Sequence, residues 1–211
     1  MNKTDPLISI IVPLAPNEEA WKDLLSDLLP ISDVIEVILA SPRRQLGSTL
    51  HWAKKLGFSI SVVETEIGRA HQMNSAALHA RGEYLWFLHA DSRLNVSTLE
   101  AATRIAQERA NGLYFFDLAY QLDGPRLTRI NSLGAYIRSH LFGLPFGDQG
   151  FLLSKNLFDS LGMFPEGCAY GEDHLLIWKA KRAGIRAQSA GARILTSARR
   201  YRNNGWLRTT L

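Results

Sequence analysis

The sequence predicts an α/β fold with a mostly parallel central sheet flanked by helices. Two observations carry this prediction. In the first half of the chain, short apolar runs rich in β-branched residues alternate with segments of helical periodicity. Proline and glycine separate these segments, a pattern typical of βαβ units, whose strands lie in parallel.

The first four strands are predicted from continuous apolar runs. A run of four to eight apolar residues indicates a strand that is buried on both faces, as in a parallel sheet covered by helices. The predicted strands cover residues 7–12, 34–40, 59–64 and 84–88.

Three helices are predicted between these strands. The first has apolar residues at the spacing of one helix face and ends near a proline. The second is expected to be capped by a glycine, and the third is rich in alanine, which favours close packing. The helices cover residues 21–28, 46–56 with the cap at Gly57, and 70–80.

The second half of the chain is less regular. It has no repeat, low-complexity segment or linker, so we expect it to form one unit with the first half. Strands are predicted at residues 112–120, after a turn at 147–154, and at 193–197, with helices at 127–141, 155–161 and 174–183.

The predicted topology selects a ligand site. Right-handed crossovers bring the loops that follow parallel strands to one edge of the sheet, and ligands of open α/β sheets bind there. The loops after Val12, Ala40, Glu64 and Leu88 are therefore the predicted site.

Charge is distributed unevenly along the chain. The net charge is +4, but no acidic residue follows Asp173, whereas basic residues continue to Arg208. This predicts an anionic partner near the C-terminal part and allows peripheral contact with an acidic membrane. The single cysteine, Cys168, and the lack of a leader or a long apolar run lead us to expect a cytoplasmic protein.

Acidic residues at two places are candidates for chemistry. Asp91 directly follows the fourth strand, where one carboxylate could help to hold Mg²⁺ or Mn²⁺. It could equally cap the next helix or turn. Glu172 and Asp173 precede a helix, where they could act in catalysis or simply complement the helix dipole.

Basic and turn residues supply further candidates. Arg69 begins the alanine-rich helix, and a helix N-terminus with a nearby arginine favours a phosphate group. Arg199 and Arg200 follow the last predicted strand and could serve the same purpose or form a solvated basic surface. Asp148 and Gln149 lie between two glycines, which is also ordinary turn composition.

Taken in order, these residues resemble the family-2 glycosyltransferases. Within that family the combination is most similar to a small bacterial subgroup of glycosyltransferase-like proteins, in some cases linked to arsenosugar biosynthesis. The motifs that carry the resemblance are the opening strand through Pro13 with Asn17-Glu18-Glu19, Gly68-Arg69-Ala70-His71-Gln72-Met73-Asn74, His89-Ala90-Asp91-Ser92 in place of the Asp-x-Asp motif, Gly147-Asp148-Gln149-Gly150, Glu172-Asp173, and Ser197-Ala198-Arg199-Arg200-Tyr201.

The resemblance implies the GT-A fold of nucleotide-diphospho-sugar transferases as a single domain over residues 1–211. Residues up to about 95 would bind the nucleotide sugar, and residues from about 96 the acceptor. The implied activity is inverting transfer of a sugar from a nucleotide-diphosphate donor to a hydroxyl acceptor, assisted by Mg²⁺ or Mn²⁺. The implied roles are Asp173 as catalytic base, Asp91 as metal ligand, Pro13, Glu18, Arg69, His89, Arg199 and Arg200 in nucleotide-sugar binding, and Asp148, Gln149 and Glu172 in acceptor binding.

The sequence departs from the family pattern in ways that leave alternatives open. No acidic residue ends the second strand, where the family holds the nucleotide, and His89 replaces the first aspartate of Asp-x-Asp. Relatives tend to continue past Leu211 with an apolar segment. The alternatives are a non-catalytic binding protein of the same fold, a nucleotidyltransferase, for which the first loop lacks the usual glycines, and a nucleic-acid binder, for which no motif is present.

Overall fold

The structure, a computed structural model, describes residues 5–43, 46–53, 59–125, 127–167 and 171–205. Within these residues, seven strands form one sheet in the order β3-β2-β1-β4-β6-β5-β7. The strands are β1 (Ile8–Pro13), β2 (Ile35–Pro42), β3 (Ile60–Thr65), β4 (Tyr84–Phe87), β5 (Leu113–Tyr120), β6 (Phe151–Ser154) and β7 (Ala187–Thr196).

Helices cover both faces of this sheet and confirm the predicted alternation. The second helix is described as far as Ala53, so its predicted end and the cap at Gly57 lie outside the described residues. The helices are α1 (Trp21–Leu28), α2 (Leu46–Ala53), α3 (Arg69–His79), α4 (Val96–Gln107), α5 (Thr128–Phe142), α6 (Lys155–Ser160), α7 (Glu172–Arg182) and α8 (Arg199–Asn204).

All strands except β6 run in the same direction. β1 pairs in parallel with β2 and β4, β2 with β3, and β5 with β7, whereas β6 lies antiparallel between β4 and β5. The carboxyl ends of the parallel strands and the amino end of β6 therefore meet at one edge. The sheet crosses both predicted halves of the chain without interruption.

The apolar runs are buried on both faces, as their composition predicts. Ile10 and Val37 point into a core beneath α1 and α4, while Ile11 and Ile38 point into a second core beneath α3 and α7. In α1, the four apolar residues of the predicted face are all buried. The central strands thus separate two hydrophobic layers, the arrangement expected for a sheet covered by helices.

Three features differ from the sequence-based expectation. α4 was not predicted; it begins where the side chain of Asn95 accepts a hydrogen bond from the Thr98 amide at 3.0 Å. α8 was also not predicted. β7 begins at Ala187 rather than Arg193, because its first residues, which include Gly191, are polar or small and partly exposed and so lack an apolar pattern.

The buried carboxylate of Glu36 links the amino ends of β1 and β2 to the segment that precedes β4. Glu36 is 4% exposed and accepts hydrogen bonds from the Ser9 hydroxyl at 2.7 Å and the Arg81 amide at 2.7 Å. The Arg81 guanidinium donates to its other oxygen at 2.8 Å and 3.0 Å. These bonds lower the pKa of Glu36 although burial alone would raise it. Buried charges are tolerated when they are paired in this way.

Gly82 approaches this network so closely that it has no room for a side chain. A Cβ atom there would lie 2.6 Å from the Ser9 amide nitrogen and 2.7 Å from its hydroxyl. We expect Gly82→Ala to lower the free energy of unfolding by about 1–3 kcal/mol, because the backbone of β1 must shift. Urea unfolding measures this change.

Gly134 provides the matched control. It lies in α5, and a Cβ atom there would meet nothing within 4 Å. Gly134→Ala should therefore raise the free energy of unfolding by about 0.5–1 kcal/mol, through the helix propensity of alanine. Equal effects of the two substitutions would contradict the crowding at Gly82.

Candidate active site

The strand ends form an open pocket at the predicted edge. Gln72, from α3, fixes the first two loops, because its amide donates to the backbone oxygens of Leu14 and Ala40 at 2.9 Å and 3.0 Å. The pocket has a volume of about 330 Å³. Its lining includes Pro13, Glu18, Gly68, Arg69, His89 and Asp91.

Asp91 lies in this pocket two residues after His89, as the position after β4 predicts. Burial raises the pKa of its carboxyl group, the positive charge of Arg199 opposes this, and the charges of Glu18 and Asp123 add to it. A site that disfavours an isolated carboxylate gains from a cation beside it. Asp91 therefore sits where a positive ligand would stabilise its charged form.

Glu18 and Arg199 join the first loop to the end of the chain. The guanidinium of Arg199 lies 3.3 Å from one carboxylate oxygen of Glu18, and the other oxygen accepts from the Ala20 amide at 2.8 Å at the start of α1. The sequence placed both residues in one site, and the structure brings them into contact. The side chain of Arg200 lies outside the described part of the structure.

Asp123, which the sequence analysis missed, anchors Arg199. It follows β5, and its carboxylate accepts from the Ser197 hydroxyl at 2.5 Å and the Ala198 amide at 2.7 Å. Burial raises its pKa, but these hydrogen bonds outweigh burial and lower it. The sequence did indicate this position, because Asp123, like Asp91, follows a strand that ends at the ligand edge.

Arg69 connects the two sides of the candidate site. Its guanidinium donates to Nε2 of His89, and its Nε lies 3.4 Å from a carboxylate oxygen of Glu172. Burial and the charge of Arg69 hold the pKa of His89 well below its ordinary value, so the ring is neutral and accepts through Nε2. Arg69 thus holds the end of β4 and the start of α7 together.

Asp173 is fixed by the loop before β6. Its side chain is 13% exposed, and its two oxygens accept from the Gly147 amide at 2.7 Å and the His174 amide at 2.9 Å. A Cβ atom at Gly147 would come within 2.7 Å of the Arg69 guanidinium, so a larger residue there would require the end of the Arg69 side chain to shift. A cavity of about 10 Å³ between Arg69, His89, Gly147 and Asp173 has about the volume that one water needs.

Gln149 and Asp148 have different surroundings although they are adjacent. Gln149 has no exposed surface, and its amide bonds to the Ser139 hydroxyl at 2.8 Å and the Phe116 oxygen at 3.2 Å. Its contacts are those of a residue that holds the loop. Asp148 is half-buried, and its buried Oδ1 has no hydrogen-bond partner among the described residues.

Arg138, also missed by the sequence analysis, lies behind the acceptor-side loop. Its guanidinium stacks on the Phe146 ring at 3.1 Å from the centroid and donates to Leu144 and Gln149. Burial lowers its pKa, while the charges of Asp148 and Asp173 oppose the change. No sequence pattern marks it, because one arginine in a helix resembles an ordinary surface residue.

The end of β2 carries no acidic side chain, in agreement with the sequence. The neighbouring strand supplies one: Glu64 of β3 lies beside Ser41, and its carboxylate is 3.3 Å from the Arg43 guanidinium. An acidic group is therefore present at this part of the edge, although it comes from the next strand.

The described residues contain no cluster of three metal-binding side chains. Asp91 is a suitable ligand in the pocket, whereas Nε2 of His89 is taken by Arg69 and the carboxylate of Glu18 is paired with Arg199. This donor set fits Mg²⁺ or Mn²⁺ of the kind held by one carboxylate, water and the oxygens of a diphosphate.

The architecture, together with its likeness to solved structures, defines the class of fold. The mostly parallel seven-stranded sheet of the described residues, with helices on both faces, has the GT-A fold. No protein-family model matches the chain, and no curated protein sequence matches it.

Solved structures similar to this chain include glycosyltransferases. A mannosyltransferase from Pyrobaculum calidifontis, in complex with GDP-Man and Mn²⁺, is 22% identical with a TM-score of 0.68 over 92% of this chain. S. aureus TarS 1–349, in complex with UDP-GlcNAc, is 20% identical with a TM-score of 0.66 over 90% of this chain. The chain spans 57% and 58% of the length of these two proteins. The likeness confirms the predicted fold.

Asp148 is expected to make stability depend on pH. Burial raises its pKa from 3.8 to about 6, with Arg138 and Arg69 opposing and Asp173 adding to the shift. The folded protein therefore binds this proton more tightly than the unfolded chain, and the free energy of unfolding falls as pH rises from about 4 to about 6. Asp148→Asn should remove this loss and be more stable than the wild type above pH 6, by up to about 3 kcal/mol.

Urea unfolding of both proteins at several pH values measures this difference. Near pH 4 the wild-type carboxyl is protonated in the folded state, so the gap between the two proteins should be close to its smallest value. A gap that does not change with pH would show that Asp148 ionises normally.

Proposed function

We propose that the protein is a glycosyltransferase that moves a sugar, with inversion, from a nucleotide-diphosphate donor to a hydroxyl acceptor. One observation carries the proposal: Arg69 contacts both His89 and Glu172, so residues far apart in sequence converge on one edge. The shared fold with structures that contain GDP-Man or UDP-GlcNAc supports it. Membership of family 2, and the arsenosugar subgroup, form part of the proposal.

The donor would occupy the open pocket of about 330 Å³. Pro13 and Glu18 would line the nucleotide side, and Arg69 and Arg199 would face the diphosphate, with Arg200 following in the same helix. Fixed guanidinium groups stabilise negative charge where it develops, without reorganisation during the reaction. The neutral ring of His89 would place no charge beside the phosphates.

Asp91 would hold Mg²⁺ or Mn²⁺ when the donor is bound. The cation would neutralise charge on the leaving diphosphate. The raised pKa of Asp91 and its position in the pocket support this role.

Asp173 would be the general base. As the acceptor oxygen attacks the anomeric carbon, the proton of the acceptor hydroxyl would pass to the Asp173 carboxylate. The bond from the anomeric carbon to the diphosphate oxygen would break. The hydrogen bonds from Gly147 and His174 leave a lone pair on each oxygen of Asp173. Attack opposite the leaving group gives inversion.

The acceptor would lie between α7 and the loop before β6. Asp148 would contact the acceptor through the exposed part of its side chain, since the charges of Arg69 and Asp173 act on its carboxyl group. Gln149 and Glu172 would shape the pocket indirectly, the first by holding the loop and the second by orienting Arg69.

No helix of the described residues is long and apolar enough to cross a membrane. We propose a cytoplasmic location without a nucleic-acid partner.

Nucleotide binding tests the donor site. We expect one of UDP, GDP, CDP and dTDP to raise the melting temperature by about 5 °C at a hundredfold excess over its dissociation constant, in the presence of Mn²⁺. The shift should disappear in Asp91→Ala and persist in the control Asp159→Ala, whose residue is exposed on α6. If none of the four nucleotides raises the melting temperature, the proposal is contradicted.

Substitution of the base tests catalysis. Asp173→Asn should lower kcat for release of the nucleoside diphosphate by about 10²–10⁴-fold, with donor affinity nearly unchanged. Because asparagine can accept only one of the two backbone hydrogen bonds, the free energy of unfolding should also fall by about 1 kcal/mol. A rise in the donor dissociation constant as large as the fall in kcat would assign Asp173 to binding instead.

A further inference from the structure

The outward face of α5 is apolar. Five exposed leucine and isoleucine side chains, the first at the residue that precedes the helix, are spaced by three and four residues, which places them on one side of α5. They are between 40% and 76% exposed. We call this set the apolar stripe; it consists of Leu127, Ile130, Leu133, Ile137 and Leu141.

The inward face of α5 is unusually small and polar. The residues that α5 buries are Thr128, Ala135 and Ser139. A surface helix of a globular protein normally buries its large apolar side chains and exposes its polar ones. In α5 this order is reversed, and a continuous exposed apolar surface of this kind marks an interaction site.

Arginines lie beside the stripe, and α5 also meets an acidic side chain, Asp117, whose Oδ1 lies 2.8 Å from Nε2 of His140. No acidic residue occurs between Asp123 and Asp148. Arg129 and Arg193 line an open pocket of about 820 Å³ beside α5, together with Thr128 and Ser132. Among the described residues, neither arginine forms an ion pair with a carboxylate. This pocket can therefore accept anionic groups.

α8 extends the positive charge next to the stripe. The hydroxyl of Tyr201 accepts from Asn131 of α5 at 3.1 Å, which fixes α8 against this helix. The exposed Arg202 follows one residue later, and no acidic residue is present after Asp173.

We propose that the apolar stripe docks on the surface of an acidic phospholipid bilayer. The leucine and isoleucine side chains enter the boundary between headgroups and acyl chains, and Arg129, Arg193 and Arg202 bind lipid phosphates. A helix with an apolar stripe and neighbouring arginines matches interfacial membrane helices. The arginines beside the stripe favour this partner over a second copy of the chain, which would bring like charges together.

Docking would orient the candidate site. Residues 143–149, with Asp148, follow directly after the exposed end of α5. The docking itself does not rest on the proposed function. Given that function, the acceptor-side loop lies at the membrane surface, and the expected acceptor is an amphiphile presented from the bilayer.

Vesicle sedimentation tests the proposal with the full chain. We expect binding to vesicles of phosphatidylcholine with phosphatidylglycerol at low salt, and little binding to phosphatidylcholine alone or at high salt. Leu133→Asp should weaken partitioning about tenfold or more. Arg129→Gln and Arg193→Gln should each weaken it about fivefold.

Leu78→Asp is the matched control. Leu78 is 70% exposed on α3, outside the stripe, so its substitution should leave partitioning unchanged. All substituted positions are exposed, and melting temperatures would verify that the variants fold. Vesicle binding does not require a nucleotide. The vesicle experiment can therefore give its expected result when the nucleotide-binding experiment does not, and the nucleotide-binding experiment can do so when the vesicle experiment does not.

Three results would overturn the docking. The first is no sedimentation with acidic vesicles at low salt, and the second is equal weakening by Leu133→Asp and Leu78→Asp. The third is a lipid-independent dimer that Leu133→Asp dissociates, which would identify the stripe as an interface between two copies.

Discussion

The common direction of the parallel strands is the constraint on which the candidate site depends. Because β1, β4, β5 and β7 all end at the same edge, four separate loops deliver Glu18, Asp91, Asp123 and Arg199 to one place. The reversed β6 fits this arrangement, since its amino end meets the same edge and brings Gly147 against Asp173. No single segment of the chain could supply these side chains within reach of one another.

The electrostatics of the edge are tuned by burial rather than by net charge. Burial raises the pKa of Asp91 and Asp148 and lowers that of His89. These groups are held where their charged forms are less favourable than in water, so an added cation or anion changes their protonation readily. Active sites commonly have such groups, whereas the buried Glu36 is hydrogen bonded through both of its oxygens and its pKa is lowered.

Sequence periodicity was sufficient for most of the fold, because buried parallel strands are continuous apolar runs and their loops carry proline or glycine. It was insufficient for β7, whose first residues pack at the sheet margin with small and polar side chains. For the candidate site, the rule that ligands bind at strand ends predicted the position of Asp91, and the preference of helix N-termini for phosphate indicated Arg69; the structure places both residues in the open pocket. The roles of Arg138 and Gln149 could not be predicted, because they depend on contacts between α5 and the loop before β6 that have no local pattern.

The contact between Glu18 and Arg199 joins the first loop of the chain to one of its last described helices. During synthesis the N-terminal strands emerge first, and they can pair with one another while α8 is still being made. The ion pair of Glu18, which lines the open pocket, nevertheless cannot form until residue 199 has left the ribosome. A nascent chain that has folded as far as α7 would therefore have most of its sheet but not the ion pair between Glu18 and Arg199, so this contact at the pocket would be one of the last to form.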